Sequence, residues 1–200
     1  KKVIIIGGGP NRIGQGIEFD YCCVHSSFAI RELNIESIMV NCNPETVSTD
    51  FDISNRLYFE PLDIESVLQI CRSENLSNNL LGVIVQLGGQ TPLKLSEKLH
   101  DEGIRILGTS FESIDLCEDR DRFSNLMNKL KINQPKSDVV YSLKEAISSV
   151  KKISYPIVIR PSYVLGGRAM RIINNQNELR NYFDSNFIIN NKAILIDEFL

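Results

Sequence analysis

Residues 2–16 read KVIIIGGGPNRIGQG. The run Val3 to Ile6 is β-branched and lacks polar alternation, the pattern of a strand covered on both faces in a parallel sheet. A glycine-rich loop follows. Beyond it Ile17, Tyr21, Val24 and Phe28 recur at helical spacing through Leu33, with Glu18 and Asp20 near the positive end of the helix dipole. The unit is strand, loop, helix. Further along, Ser37 to Val40 and Arg56 to Phe59 read as strands, Ile64 to Arg72 as a helix and Gly82 to Leu87 as another buried strand. Pro92 suits the first turn of a helix that carries Leu93, Leu95 and Leu99 to Gly103, and Ile104 to Leu107 reads as a fifth strand. This alternation predicts an α/β fold with a doubly wound, Rossmann-like parallel sheet. Its loops GGGPNRIGQG, NCNPETVSTD and QLGGQT would gather at the carboxyl ends of the strands.

Around Ser110 to Asp121 the pattern changes to a charged helix, and Lys131 to Ser137 reads as a connector. A domain boundary is placed near residue 118. The remainder reads as an α+β layer: strand Asp138 to Tyr141, helix Leu143 to Ile153, strand Ile157 to Arg160, a glycine loop, strand Ala169 to Ile173, helix Asn177 to Phe183, and strand Ala193 to Phe199. A final apolar strand without cover leaves a sheet edge in need of a partner, so the natural polypeptide is expected to continue.

Composition narrows the function classes. Of 200 residues, 42% are hydrophobic and 24% charged, and 22 basic against 25 acidic residues give a net charge of −3. Nucleic-acid binding through bulk charge is not indicated, because it needs a basic face. The longest apolar runs fall far short of the roughly 20 residues of a membrane helix, so no span is expected. The chain enters a strand at once, without the apolar segment of a secretory signal, which points to a cytoplasmic protein or a piece of a longer one. Five cysteines and two histidines without a CxxC pair offer little for zinc.

The loop at 7–16 fails as a dinucleotide site. Arg12 stands where GxGxxG needs its third glycine, and Asn41 and Asn43 stand where an acid belongs. It fails as a Walker loop too, since Gln15 occupies the lysine position. Residues 155–171, YPIVIRPSYVLGGRAMR, are more suggestive. Arg160 ends an apolar strand, its backbone held extended by Pro161, and Gly166-Gly167 with Arg168 follow. A guanidinium fork beside a glycine pair suits a polyphosphate clamp; an ordinary hairpin with solvated arginines also fits. Asp197-Glu198-Phe199-Leu200, after an apolar strand, suits the linker of a nucleotide site, or a plain edge strand. His25 and His100 read as structural or solvated, and residues 118–122 as a solvated helix face.

Taken together, GGGPNRIGQGIEFDYCCVH, VNCNPETVSTDFD, LYFEP, QLGGQTPLKL, EDRDRF and RPSYVLGGRAM resemble, in this order and spacing, the carbamoyl phosphate synthase large-subunit family. The resemblance covers essentially the whole chain. NPETVSTD and VLGGRAM are similar to the second, carbamate-phosphorylating half of that internally duplicated subunit. It implies a pre-ATP-grasp domain over 1–118 and the amino-terminal part of an ATP-grasp domain over 119–200. It also implies ATP-dependent phosphorylation of carbamate to carbamoyl phosphate, serving pyrimidine and arginine biosynthesis. By the same resemblance Arg160 meets the nucleotide phosphates, Gly166 and Gly167 belong to the loop closing over them, and Glu198 and Leu200 fall at adenine and ribose contacts. Arg120 matches a further nucleotide-binding arginine of the first half. The implied cofactors are ATP and Mg2+, with the metal ligands beyond Leu200. The implied partners are carbamate, the remainder of the large subunit and a glutaminase subunit or domain, with no nucleic acid and no membrane. This stretch by itself is expected to be catalytically inactive. Two positions depart from the family: Glu198 stands where histidine is common, and residues 75–81 form a longer connection. Another ATP-grasp ligase, biotin carboxylase-like, and a non-catalytic docking module are the alternative readings.

Overall fold

The computed structural model describes residues 1–11, 14–161, 170–185 and 193–200. They form two compact units, Lys1–Phe123 and Ser124–Leu200.

In the first unit strands β1 (Lys2–Ile6), β2 (Glu36–Val40), β3 (Arg56–Tyr58) and β4 (Leu80–Ile84) lie in the order β3-β2-β1-β4, all parallel. Helix α1 (Ile17–Glu32) covers one face, where Val3, Ile5 and Met39 pack with Cys23 and Ile30. On the other face Ile4, Ile6, Ile38, Val40 and Val83 pack with Val67, Ile70 and Cys71 of α2 (Ile64–Glu74). That face also takes Leu99 and Ile114 from two later helices. Both pleat directions of β1 are therefore buried, which is why its sequence carries no alternation. Asp63 starts α2 by accepting the Ser66 N–H at 2.8 Å.

Three boundaries differ from the sequence reading. The strand expected over Gly82 to Leu87 is observed earlier, as β4. The helix expected from Pro92 is two short pieces, α3 (Gln90–Leu93) and α4 (Ser96–Asp101). Ser96 Oγ donates to the Leu93 carbonyl at 2.6 Å, occupying an acceptor that an unbroken helix would use. Ile104 to Leu107 is not a fifth strand but a single parallel bridge between Ile106 and Val83. Its two hydrogen bonds, Val83 N–H to the Arg105 carbonyl and Leu107 N–H to the Val83 carbonyl, lie between turns at Gly103 and Gly108 that prevent a longer ladder. Helices α5 (Phe111–Glu118) and α6 (Arg120–Lys129) follow.

The second unit is an antiparallel sheet of β5 (Ser137–Val140), β6 (Ile157–Pro161), β7 (Arg171–Ile173) and β8 (Ile194–Glu198), ordered β5-β8-β6-β7. Here the period-two pattern is visible. Ile157, Ile159, Ile173, Ile194 and Ile196 point to one face, where Ala146, Val150 and Ile153 of α7 (Leu143–Ile153) and Leu179 and Tyr182 of α8 (Gln176–Ser185) cover them. Ser142 caps α7 by accepting the Glu145 N–H at 3.2 Å, and the Glu145 carboxylate accepts the Tyr141 N–H at 2.8 Å. The intervening residues Val158, Arg160, Leu195 and Asp197 face the opposite way.

Candidate functional site

At the carboxyl ends of the parallel strands, the loops after β1, β2 and β4 are joined by hydrogen bonds and backbone contact. Asn41, just past β2 and 2% exposed, accepts the Gly9 N–H and its neighbour Cys42 N–H at 3.0 Å each, and donates to Ser48 Oγ at 3.2 Å. Gly7 must lack a side chain, because a Cβ there would sit 2.5 Å from the Asn41 Cγ. Gly88 must lack one as well: its Cβ would sit 2.3 Å from the Gly7 carbonyl oxygen. The crevice between β1 and β4, where a dinucleotide pyrophosphate would lie in a Rossmann site, is thus occupied by two glycine backbones in contact. Asp20 of α1 fixes the neighbouring 3-10 turn Val47–Thr49, its carboxylate accepting the Val47 N–H at 2.9 Å and the Ser48 N–H at 3.1 Å. Beside it is a cleft of about 190 Å³ lined by Asn11, Gln15, Asp20, Asn43, Glu45 and Thr46 among others. Its described lining carries two carboxylates and no cation, a poor match for phosphate.

In the second unit the outer face of the sheet presents Arg160 near the end of β6. Its side chain is 40% exposed, and its Nε donates to Asp197 Oδ2 on β8 at 3.2 Å; the Asp197 side chain is 22% exposed. The register pairs Arg160 with Leu195 and Val158 with Asp197, so the two charged residues are diagonal neighbours on one face. Glu198 ends the same β8 but pairs with Ile157, three residues from Arg160 along the strands, or roughly 10 Å at 3.3 Å per residue. Its parity is opposite to that of Arg160. Its N–H donates to the Lys136 carbonyl at 2.8 Å and its carboxylate accepts the Lys136 N–H at 3.1 Å. Leu200 is 87% exposed. Arg120 opens α6. Gly166 and Gly167 lie outside the described residues. Asp197 is the residue that motif reading passed over as part of a linker. The signal that finds it is strand parity, which puts it on the face of Arg160 and not on that of Glu198. Among the described residues there is no group of three or more His, Cys, Asp and Glu that could hold a metal ion. Among them, too, no helix is long and apolar enough to cross a membrane.

Residues 1–116 match the family model of the carbamoyl phosphate synthase preATP-grasp domain, and residues 119–200 that of the carbamoyl-phosphate synthase L chain, ATP binding domain. The carbamoyl phosphate synthase large chain of Mesorhizobium japonicum is 61% identical over 182 residues, 91% of this chain and 16% of that relative. The large chain of Pasteurella multocida is 56% identical over 201 residues, 100% of this chain and 18% of that relative. The chain therefore spans under a fifth of the length of these relatives. Among solved structures, the biotin carboxylase domain of Hydrogenobacter thermophilus 2-oxoglutarate carboxylase, in complex with MgADP, ADP and bicarbonate, superposes with a TM-score of 0.69 at 20% identity. That match covers 100% of this chain and 44% of the other. N5-carboxyaminoimidazole ribonucleotide synthetase of Thermus thermophilus gives 0.66 at 13% identity, covering 99% and 47%. These two likenesses show the fold, that of pre-ATP-grasp and ATP-grasp proteins. With family models matching both parts of the sequence, the chain belongs to the carbamoyl phosphate synthase large-chain family.

Proposed function

We propose that this chain forms the beginning of the carbamate-phosphorylating half of a carbamoyl phosphate synthase, with a pre-ATP-grasp domain over 1–118 and the first part of the ATP-grasp domain over 119–200. The reaction is transfer of the γ-phosphoryl group of ATP to carbamate, giving carbamoyl phosphate and ADP. The observation that carries this reading is the position of Arg160: a guanidinium half in solvent, near a strand end, on the sheet face opposite α7 and α8. A planar fork placed there can take phosphate oxygens bidentately and offset their charge as the phosphoryl group moves. Glu198, at the end of the neighbouring strand, and Leu200 just past it serve the adenine and ribose, an assignment supported by the family resemblance. Gly166 and Gly167 supply backbone N–H groups over the phosphates, and Arg120 adds a second cation. Mg2+, held by other residues of the complete subunit, would neutralise charge on the same phosphates.

The remainder of the large subunit completes the active site, and a glutaminase subunit or domain delivers ammonia in the cytoplasm for pyrimidine and arginine biosynthesis. The 200-residue piece is inactive by itself. The test is the Arg160→Ala variant of the full-length large chain, assayed by ATP formation from ADP and carbamoyl phosphate, which isolates this half. A rise in the ADP KM or a loss of rate by about a hundredfold is expected from removal of a bidentate charged contact. Unchanged kinetics would sink the reading.

A further inference from the structure

Arg160 has to present its terminal amines outward while anchored to a sheet by a flexible stem. An unrestrained arginine gives up roughly 2 kcal/mol of rotamer freedom when a ligand fixes it. Asp197 is placed to reduce that loss. Its carboxylate takes the Nε hydrogen, the one guanidinium donor that faces back along the side chain. The contact with Asp197 is made by Nε, so it does not spend the Nη1 and Nη2 donors that can fork onto an oxyanion. Three further observations separate this contact from a surface ion pair. Both residues sit in register-locked strands, so neither backbone drifts. Asp197 is 22% exposed, more sheltered than its partner at 40%, which makes it the fixed member of the pair. Finally, both side chains stand on the sheet face opposite the isoleucines that pack under α7 and α8.

We propose that Asp197 is a positioning residue: it orients the Arg160 guanidinium so that the terminal amines meet the nucleotide phosphates. This rests on the assignment of Arg160 to phosphate binding. It predicts coupling. Without Asp197 the arginine keeps its charge and loses its aim, so nucleotide affinity falls and the chemical step is largely spared.

The experiment compares wild type, Asp197→Ala, Arg160→Ala and the double variant in the full-length large chain, using ATP formation from ADP and carbamoyl phosphate. D197A removes the acceptor of the Nε hydrogen and should raise the ADP KM about tenfold with kcat within about threefold, the loss expected when one restrained arginine becomes free. In the Arg160→Ala background the same change should add nothing. Melting temperatures should agree within about 2 °C, because exposed and half-exposed pairs contribute little stability. An impaired Arg160→Ala beside a normal D197A would overturn the positioning role alone. So would a D197A loss that adds in full to that of Arg160→Ala, or one accompanied by a matching loss of fold stability. Unchanged kinetics in Arg160→Ala would overturn the nucleotide assignment and the positioning role with it.

Discussion

Asn41 Oδ1 receives the Gly9 N–H at 3.0 Å across 32 positions of sequence, so one buried amide ties the loop after β1 to the loop after β2. Replacing it with alanine leaves the Gly9 and Cys42 N–H groups without that acceptor in a place where Asn41 is 2% exposed. Asn41→Ala should lower stability by about 2 kcal/mol, the desolvation cost of buried donors left unpaired. Urea unfolding of the 200-residue chain measures it. A change under half that size would mean that the loops hold each other without the amide.

Glu74, at the end of α2, is buried with its side chain 1% exposed and receives Lys2 Nζ at 2.8 Å, the Arg56 guanidinium and the Tyr58 hydroxyl. Burial alone would raise its pKa. The hydrogen bonds from Lys2, Tyr58 and Arg56, with the Arg56 charge, overcome that and hold it down at about 2, against an ordinary 4.5. The folded pKa is depressed, so this stabilisation is fully present above pH 4.5 and is lost as pH falls from there toward 2. Glu74→Gln should cost about 2 kcal/mol at pH 7, because Lys2 and Arg56 can still reach water, and should flatten the acid limb of the stability curve. Unfolding free energies at several pH values between 2 and 7 test both. An acid limb of unchanged slope would remove Glu74 from the account.

The contact between Gly88 and Gly7 is backbone against backbone. A methyl at Gly88 would meet the Gly7 carbonyl oxygen at 2.3 Å and Pro92 Cγ at 2.7 Å, and neither is a flexible side-chain end. Gly88→Ala should therefore cost about 3 kcal/mol or more, as overpacking of a rigid site does. Chemical denaturation is again the measurement. Tolerance of the methyl would mean that the β1 and β4 loops part easily.

Thiol chemistry gives an independent check on burial. Cys23 is buried against the sheet, and burial, with the nearby Asp20 charge, pushes its pKa up to about 12; burial pushes Cys71 up to about 11. Cys22 and Cys117 are exposed. With a chromogenic disulfide at pH 8, Cys22 and Cys117 should react first, Cys42 more slowly, and Cys23 and Cys71 only on unfolding. Fast labelling of Cys23 would place α1 differently on the sheet.

The parallel sheet was readable because burial on both faces leaves a run such as Val3 to Ile6 with no polar interruption. Positions of elements were harder to read where a hydrogen bond outside the periodic pattern intervenes. Ser96 splits one helix through a side-chain bond to Leu93, and the segment of Ile106 has strand composition but only one bridge's worth of partner. At the candidate site Arg160 was conspicuous because the following proline and the glycine pair frame it. Asp197 was not, because its partner lies 37 residues away and only the antiparallel register brings the two together.

That register has a further consequence. In a sheet with a two-residue period, sliding β8 by one position past β6 would turn Asp197 toward the helices and Ile196 toward solvent. The isoleucines under α7 and α8 thus act as the alignment pins of the Arg160–Asp197 pair on the far side of the sheet. A substitution such as Ile196→Ala, beside Asp197 in its strand and opposite Ile159, would hollow the core directly beneath that pair, so a defect on the apolar face would be felt as a loosened contact on the polar one.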